Sequence, residues 1–180
     1  SPVLEEDPET GTAYIYISTS LHWTQNDSAQ GEIPIYKFNA ATGEVIWQRS
    51  YPCHTVSGVS GGVQSTALLG ENKLSDLVYF TIARTGSEKK GRLVALNKKT
   101  GGEVWSCEMS DYTWSSPIAL YDSAGNGYVI VCDSTGNMYM VDGLTGELYD
   151  TTNLGGDNIE ASPAAVENTI VVGTRGKKIY

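Results

Sequence analysis

The sequence predicts an all-β fold, a β-propeller of four-stranded antiparallel blades, with about three and a half blades in its 180 residues. Three observations predict it. One phrase recurs, as Phe38 to Trp47, Leu96 to Trp105 and Val141 to Tyr149. Between the copies, short runs of alternating polarity are bounded by Gly, Asp and Asn. No segment carries the helical period. Repetition at about 40–60 residues signals an array of small supersecondary units. Four-stranded meanders packed face to face around an axis make a propeller of about four to eight blades.

Each unit reads as a meander. The first (1–62) has strands at Ser1 to Leu4, Tyr14 to Thr19, Pro34 to Asn39 and Glu44 to Arg49. In the second (63–114) they fall at Gln64 to Leu68, Asp76 to Ala83, Arg92 to Asn97 and Glu103 to Cys107. The third (115–160) has Ser115 to Leu120, Tyr128 to Cys132 and Asn137 to Asp142, and a fourth strand opens at Glu147. A partial fourth unit (161–180) begins at Ala161 to Ala164, continues with Thr169 to Gly173 and enters a third strand at Lys178.

The phrase itself is a folding device. Thr42-Gly43, Thr100-Gly101 and Thr145-Gly146 follow an Asn or Asp. The Asx side chain bonds its own backbone, and Gly takes a left-handed conformation at little steric cost. Trp47 and Trp105 stand at one fixed place on the outer strand, where a large ring can fill the gap to the neighbouring sheet. The third unit carries Asp150 there, beside Tyr149, so weaker docking is expected of it.

Composition narrows the function. The net charge is −9, and the twelve Lys and Arg are scattered, the densest group being Lys89-Lys90-Arg92. A nucleic-acid partner, which needs clustered cations, is not expected. No apolar run approaches the roughly 20 residues of a membrane span. No basic start and apolar stretch follow Ser1, so the chain reads as processed or excised. Cys53, Cys107 and Cys132 are an odd number without C-x-x-C spacing. Cys132 reads as a small core residue, and a Cys53–Cys107 bridge is left open. Frequent Tyr, Thr, Ser, Gly and Asn with sparse Lys lean towards an exported protein: extracellular, cell-surface or periplasmic. Asn26-Asp27-Ser28 fits a glycosylation acceptor, a triplet that also arises by chance.

Ser-Pro at the inner strand, Val172-Gly173-Thr174, and the Asn/Asp-x-x-Thr-Gly-x-x-x-Trp phrase resemble the repeats of pyrroloquinoline-quinone (PQQ)-like, quinoprotein-dehydrogenase-type propellers. The resemblance spans nearly the whole chain and implies the fold. It also implies a choice among quinone-dependent dehydrogenases, an outer-membrane-protein assembly scaffold, sensor domains and surface proteins. The dehydrogenases of that family use adjacent cysteines against the cofactor, and carboxylates with an Asn around calcium. This chain has no adjacent cysteines, and Asp122 to Gly127 offers too few oxygens for calcium. Neither quinone nor calcium is therefore expected, and no metal site. The family usually closes with seven or eight blades. The rest of the ring is expected from a longer parent chain or a second copy.

Function concentrates in loops on a rigid scaffold, and the loops after second strands, with the blade connectors, emerge on one face. The candidate ligand residues lie there: His22, Trp23, His54, Arg84, Tyr112, Trp114, Asp157 and Arg175. Each has a plainer reading. Trp114 suits packing between blades as well as contact with a ligand. Trp23 suits a sugar or protein contact, or packing within its own loop. His22 and His54 are two ligands without an evident third. Arg84 and Arg175 suit an anion near the axis, or pairing with Asp133 or Asp157. No catalytic constellation is evident. The leading expectation is a non-catalytic binding module that recognises a protein or glycan. A fragment of a quinone-dependent dehydrogenase and a protein-assembly scaffold are the alternatives.

Overall fold

A computed structural model describes residues 1–23, 30–167 and 169–180. The Asn26 triplet lies outside the described residues. The chain is almost wholly β, and the one helical element among the described residues is a 3₁₀ turn at Asn72–Leu74. The first meander is β1 (Val3–Glu6), β2 (Ala13–Ser18), β4 (Gln30–Asn39) and β5 (Val45–His54), paired antiparallel in that order. The second is β7 (Leu68–Leu69), β8 (Leu77–Thr85), β9 (Lys90–Asn97) and β10 (Glu103–Glu108). The third is β11 (Ile118–Tyr121), β12 (Gly127–Cys132), β13 (Asn137–Asp142) and β14 (Leu148–Asn153). The last pair is β15 (Ala164–Val166) and β16 (Thr169–Val171), and Gly173 bridges Ile179 beyond it.

Radial packing follows from the alternation in the second meander. Strand side chains alternate between faces, and here both faces are buried. Val78, Phe80, Ile82, Val94 and Leu96 join Tyr16, Ile33, Ile35 and Trp47 of the first meander in one core. Leu77, Tyr79, Leu93 and Ala95 join Trp105 and the third meander's Val129, Val131, Tyr139 and Val141 in the other. A sheet sandwiched between two sheets is a propeller blade. The third junction is slighter, with Cys132, Ile159 and Val172 as its buried core.

Indoles lock the first two junctions. Trp47 is 8% exposed and its Nε1 donates to the carbonyl of Lys98, in the next blade's turn. Trp105, 9% exposed, repeats this with the carbonyl of Gly143. In the third blade every residue of β14, Asp150 included, is exposed. Beside Trp47 the buried Lys37 donates to the same Lys98 carbonyl, and its ammonium lies 3.9 Å from the centre of the Tyr14 ring. Lys98 pairs with Glu5 at 2.6 Å, and Glu5 also accepts from Tyr16. Desolvation lowers the Lys37 pKa.

Two features differ from the sequence expectation. Inner strands begin later than expected: β7, β11 and β15 start at Leu68, Ile118 and Ala164. Pro117 and Pro163 have no N–H for the ladder, so pairing starts after them. The stretches before these strands bond blade to blade instead. Thr66 N donates to Ser116 Oγ, and Ser116 N donates to Ser162 Oγ. The second difference is an extra tie between the first two blades. β5 runs on to His54 and pairs Cys53 with Thr85 of β8. β6 (Gly61–Gly62) pairs with β3 (Ser20–Leu21) and with Ala83. A Cβ on Gly61 would lie 2.3 Å from the His54 carbonyl oxygen, so only glycine allows that approach. All three cysteines are free thiols, and burial pushes Cys53 up to about 11.

Candidate functional site

The two faces of the propeller satisfy their polar groups differently. On one face the turns close themselves. Asn39, Asn97 and Asp142 each accept two backbone N–H bonds, from the residues two and three positions further on. Asp122 engages both carboxylate oxygens with Ala124 and Asn126, and those bonds lower its pKa. That carboxylate is a turn residue with no lone oxygen directed at a cation.

The other face is left with capacity. Among the described residues, six buried side-chain atoms have no hydrogen-bond partner: His54 Nδ1, Arg84 Nε, Ser115 Oγ, Ser134 Oγ, Asn158 Oδ1 and Thr174 Oγ1. His54 ends β5 and Arg84 lies near the end of β8, Ser115 and Asn158 sit at blade connectors, and Ser134 and Thr174 follow second strands. Buried polar groups are nearly always paired, so each unpaired one calls for an explanation. Here all six gather on the loop-rich face.

Several candidate residues meet there. The His22 and Trp23 rings stack at 5.9 Å, and His22 Nδ1 contacts the Trp23 carbonyl. Trp23 N donates to Ser60 Oγ, and Trp114 Nε1 donates to the Ser60 carbonyl. Trp114 in turn packs on Tyr112, with ring centres 5.2 Å apart. The Tyr112 hydroxyl donates to Glu160 and accepts from Asn158. Burial, ahead of its polar neighbours, raises the Tyr112 pKa. Arg175 reaches Glu160 at 2.6 Å while its own side chain stays 67% exposed. Ser60 and Glu160 thus link five of the candidates across the connectors.

Others stand apart. Asp157 pairs with Lys178 at 2.9 Å, so Arg175 has Glu160 as its carboxylate in place of Asp157 or Asp133. His54 and Arg84 form a separate group on the first junction. Desolvation first, then Lys89 and Arg84, lower the His54 pKa. Among the described residues no three His, Cys, Asp or Glu side chains are grouped to hold a metal ion. Ser60, Asn158, Glu160 and Lys89 do not stand out as ligand residues in the sequence. Repeat register points to Glu160: it precedes Ala161-Ser162-Pro163 as Trp114 precedes Ser115-Ser116-Pro117.

Fold and face together define a repeat propeller with one loop-rich rim. Comparison with known proteins gives the family. The family model described as outer membrane protein assembly factor BamB matches twice, over residues 29–119 and 89–180. The chain belongs to this PQQ-like propeller repeat family. It is 32% identical, over 88 residues, to the outer membrane protein assembly factor BamB of Kangiella koreensis, a match that covers 49% of this chain and 22% of that protein. The crystal structure of BamB from Moraxella catarrhalis superposes with a TM-score of 0.60 at 17% identity, covering 98% of this chain and 44% of that one. The chain therefore spans less than half the length of either relative. Among the described residues, no helix is long and apolar enough to cross a membrane.

Proposed function

We propose that the chain is a non-catalytic interaction propeller of the outer-membrane-protein assembly type, acting outside the cytoplasm on polypeptide partners through its loop-rich face. The scaffold reading, third in order on sequence alone, moves to the front because the family model and the Kangiella koreensis relative both carry the description of an assembly factor. One observation carries the choice of face: the six buried side-chain atoms without a hydrogen-bond partner among the described residues lie on it, whereas the opposite turns bond themselves. An extended polypeptide, with regularly spaced N–H and C=O groups, is a ligand that such a rim can complement. The exposed Arg175 guanidinium and the Tyr112–Trp114 pair add anchors of the kind that dominate protein interfaces.

The quinone-dependent alternative has little support in the residues. Cys53, Cys107 and Cys132 belong to three different strands, and no two are adjacent. Photo-crosslinking tests the proposal in the parent protein. Crosslinkers at Trp23, Trp114 and Arg175 are expected to capture envelope polypeptides, and those at Thr42 and Thr100 are not. Equal capture from both faces overturns the choice of rim. Capture of glycan alone, read on a glycan array, overturns the polypeptide partner.

A further inference from the structure

We propose that His54, Arg84 and Lys89 form an oxyanion-binding site at the rim of the first blade junction, for carboxylate or phosphate-like groups. The site is built from backbone upward. Cys53 faces Thr85 across the β5–β8 pair, which brings the neighbouring residues His54 and Arg84 to the same junction, and the charges of Arg84 and Lys89 act on the His54 ring. Gly61 lies against the His54 carbonyl where no side chain would fit. Gly62 pairs with Ala83, next to Arg84. Two passing strands and a glycine connector thus fix where both side chains start.

The backbone that carries the cations is strained. Arg84, near the end of β8, and Lys89, in the turn after it, have left-handed φ values of 51° and 56°. Such conformations persist where surrounding structure imposes them, and they cluster at ligand clamps. Here a register shift between Ile82 and Thr85 accompanies them.

Charge is uncompensated at this point. Arg84 and Lys89 form no ion pair with any described carboxylate, whereas Lys90 and Arg92 share Glu108 at 3.6 and 3.8 Å. Glu88 is the one carboxylate within the loop itself. A local excess of cations in a chain of net charge −9 is a focused positive patch. Arg84 Nε and His54 Nδ1 are buried without a partner. The first is a donor only, and the second becomes a donor when the ring is protonated. A guanidinium offers two parallel N–H groups to one carboxylate or phosphate. An oxyanion between Arg84 and Lys89 satisfies the uncompensated charge.

Binding is coupled to a proton. The groups facing His54 are Gln30 from β4, the backbone of Gly61, Arg84 from β8 and Lys89 from the β8–β9 loop. None of these is acidic, so the cations favour the neutral ring. An anion reverses that preference, and His54 takes up a proton as it binds. The site stands apart from the assembly role, and it can exist whether or not the partner is an assembling polypeptide.

Nitrogen-15 NMR of the chain with sulfate, and separately with a capped hexaglutamate peptide, tests the site at about pH 5.5 and about pH 8. Sulfate keeps its charge across that range, and the peptide keeps most of its charge. Saturable shifts of the Arg84 Nε–H and the His54 ring are expected, several-fold tighter at the lower pH. Binding of both probes marks a free oxyanion site, and binding of the peptide alone marks one that needs a polypeptide carrier. Arg84→Gln should weaken binding by about tenfold or more. Lys89→Gln should weaken it less, and His54→Gln should abolish only the pH dependence. If Arg84→Gln loses its folded spectrum, the other two variants decide. No saturable shift, equal binding by the variants, or shifts centred on Lys177 and Lys178 overturn the site.

Discussion

The Trp47 ring lies so close to Gly101 that a β-carbon on that glycine would sit 2.6 Å from Cδ2 of the indole. Trp105 and Gly146 repeat the relation at the same distance. Gly43 occupies the equivalent turn of the first blade, also at positive φ, but a β-carbon there would meet nothing within 4 Å. Three glycines share one conformation, and two of them carry an indole.

Alanine scanning separates conformation from contact at these turns. Gly43→Ala should cost about 1–2 kcal/mol, the strain of a left-handed alanine. Gly101→Ala adds overpacking against Trp47 and should cost about 1–3 kcal/mol more. Trp47→Ala should cost about 3–5 kcal/mol by emptying the junction. The double variant should therefore be less destabilised than the sum of the singles. Urea unfolding measures all four, and strict additivity would contradict the contact.

The serine relay near the axis makes a smaller prediction. Ser116 Oγ accepts from Thr66 N of the preceding blade, and Ser116 N donates onward to Ser162 Oγ. Ser116→Ala leaves Thr66 N without that acceptor, and should cost about 1 kcal/mol. Hydrogen exchange at the Thr66 amide should quicken in the variant. An unchanged rate would mean that the bond contributes nothing to protection.

Fold class is legible because the turns advertise themselves locally. An Asx residue, Thr and Gly within a few positions specify each outer hairpin without help from distant residues. The starts of the inner strands are less legible, because Ser-Pro looks extended whereas proline cannot join the ladder. The ion pair between Lys98 and Glu5 is hidden from the sequence, since it joins residues 93 apart. Likewise the pairing of Cys53 with Thr85, which brings His54 and Arg84 to one junction, depends on β5 running through Pro52, where a strand would ordinarily be judged to end. Glu160 is readable in principle from repeat register, but a comparison of loops by composition does not align them.

That ion pair has a consequence for stability. Lys98 is largely buried and divides its bonds between Glu5 and the Gly70 carbonyl, so it ties the first blade to the second. Removing one partner from a fully buried pair costs about 3–5 kcal/mol. Glu5 is 25% exposed, and solvent screening lowers the expectation for Glu5→Gln to about 2 kcal/mol. Lys98→Met, which removes the buried charge as well, should cost less than Glu5→Gln. The opposite order would show that the ammonium is well solvated.

Acid should loosen the rim at His54 before it reaches the carboxylates. Its folded pKa lies below the ordinary 6.5 because burial and the Lys89 and Arg84 charges disfavour the imidazolium. The unfolded chain then binds the proton more readily. Stability carried by this group is complete above about pH 6.5 and falls as pH drops towards the folded value, where it levels off. His54→Gln removes the titrating ring. Variant and parent should respond to pH alike above about pH 7, and the parent alone should lose stability between pH 6.5 and its folded pKa. Urea midpoints in sulfate-free buffer measure the difference. Adding sulfate at low pH should restore the parent more than the variant, because the anion favours the protonated ring. A difference between the two proteins that stays constant from about pH 8 to about pH 5 would show that His54 titrates as it does in the unfolded chain.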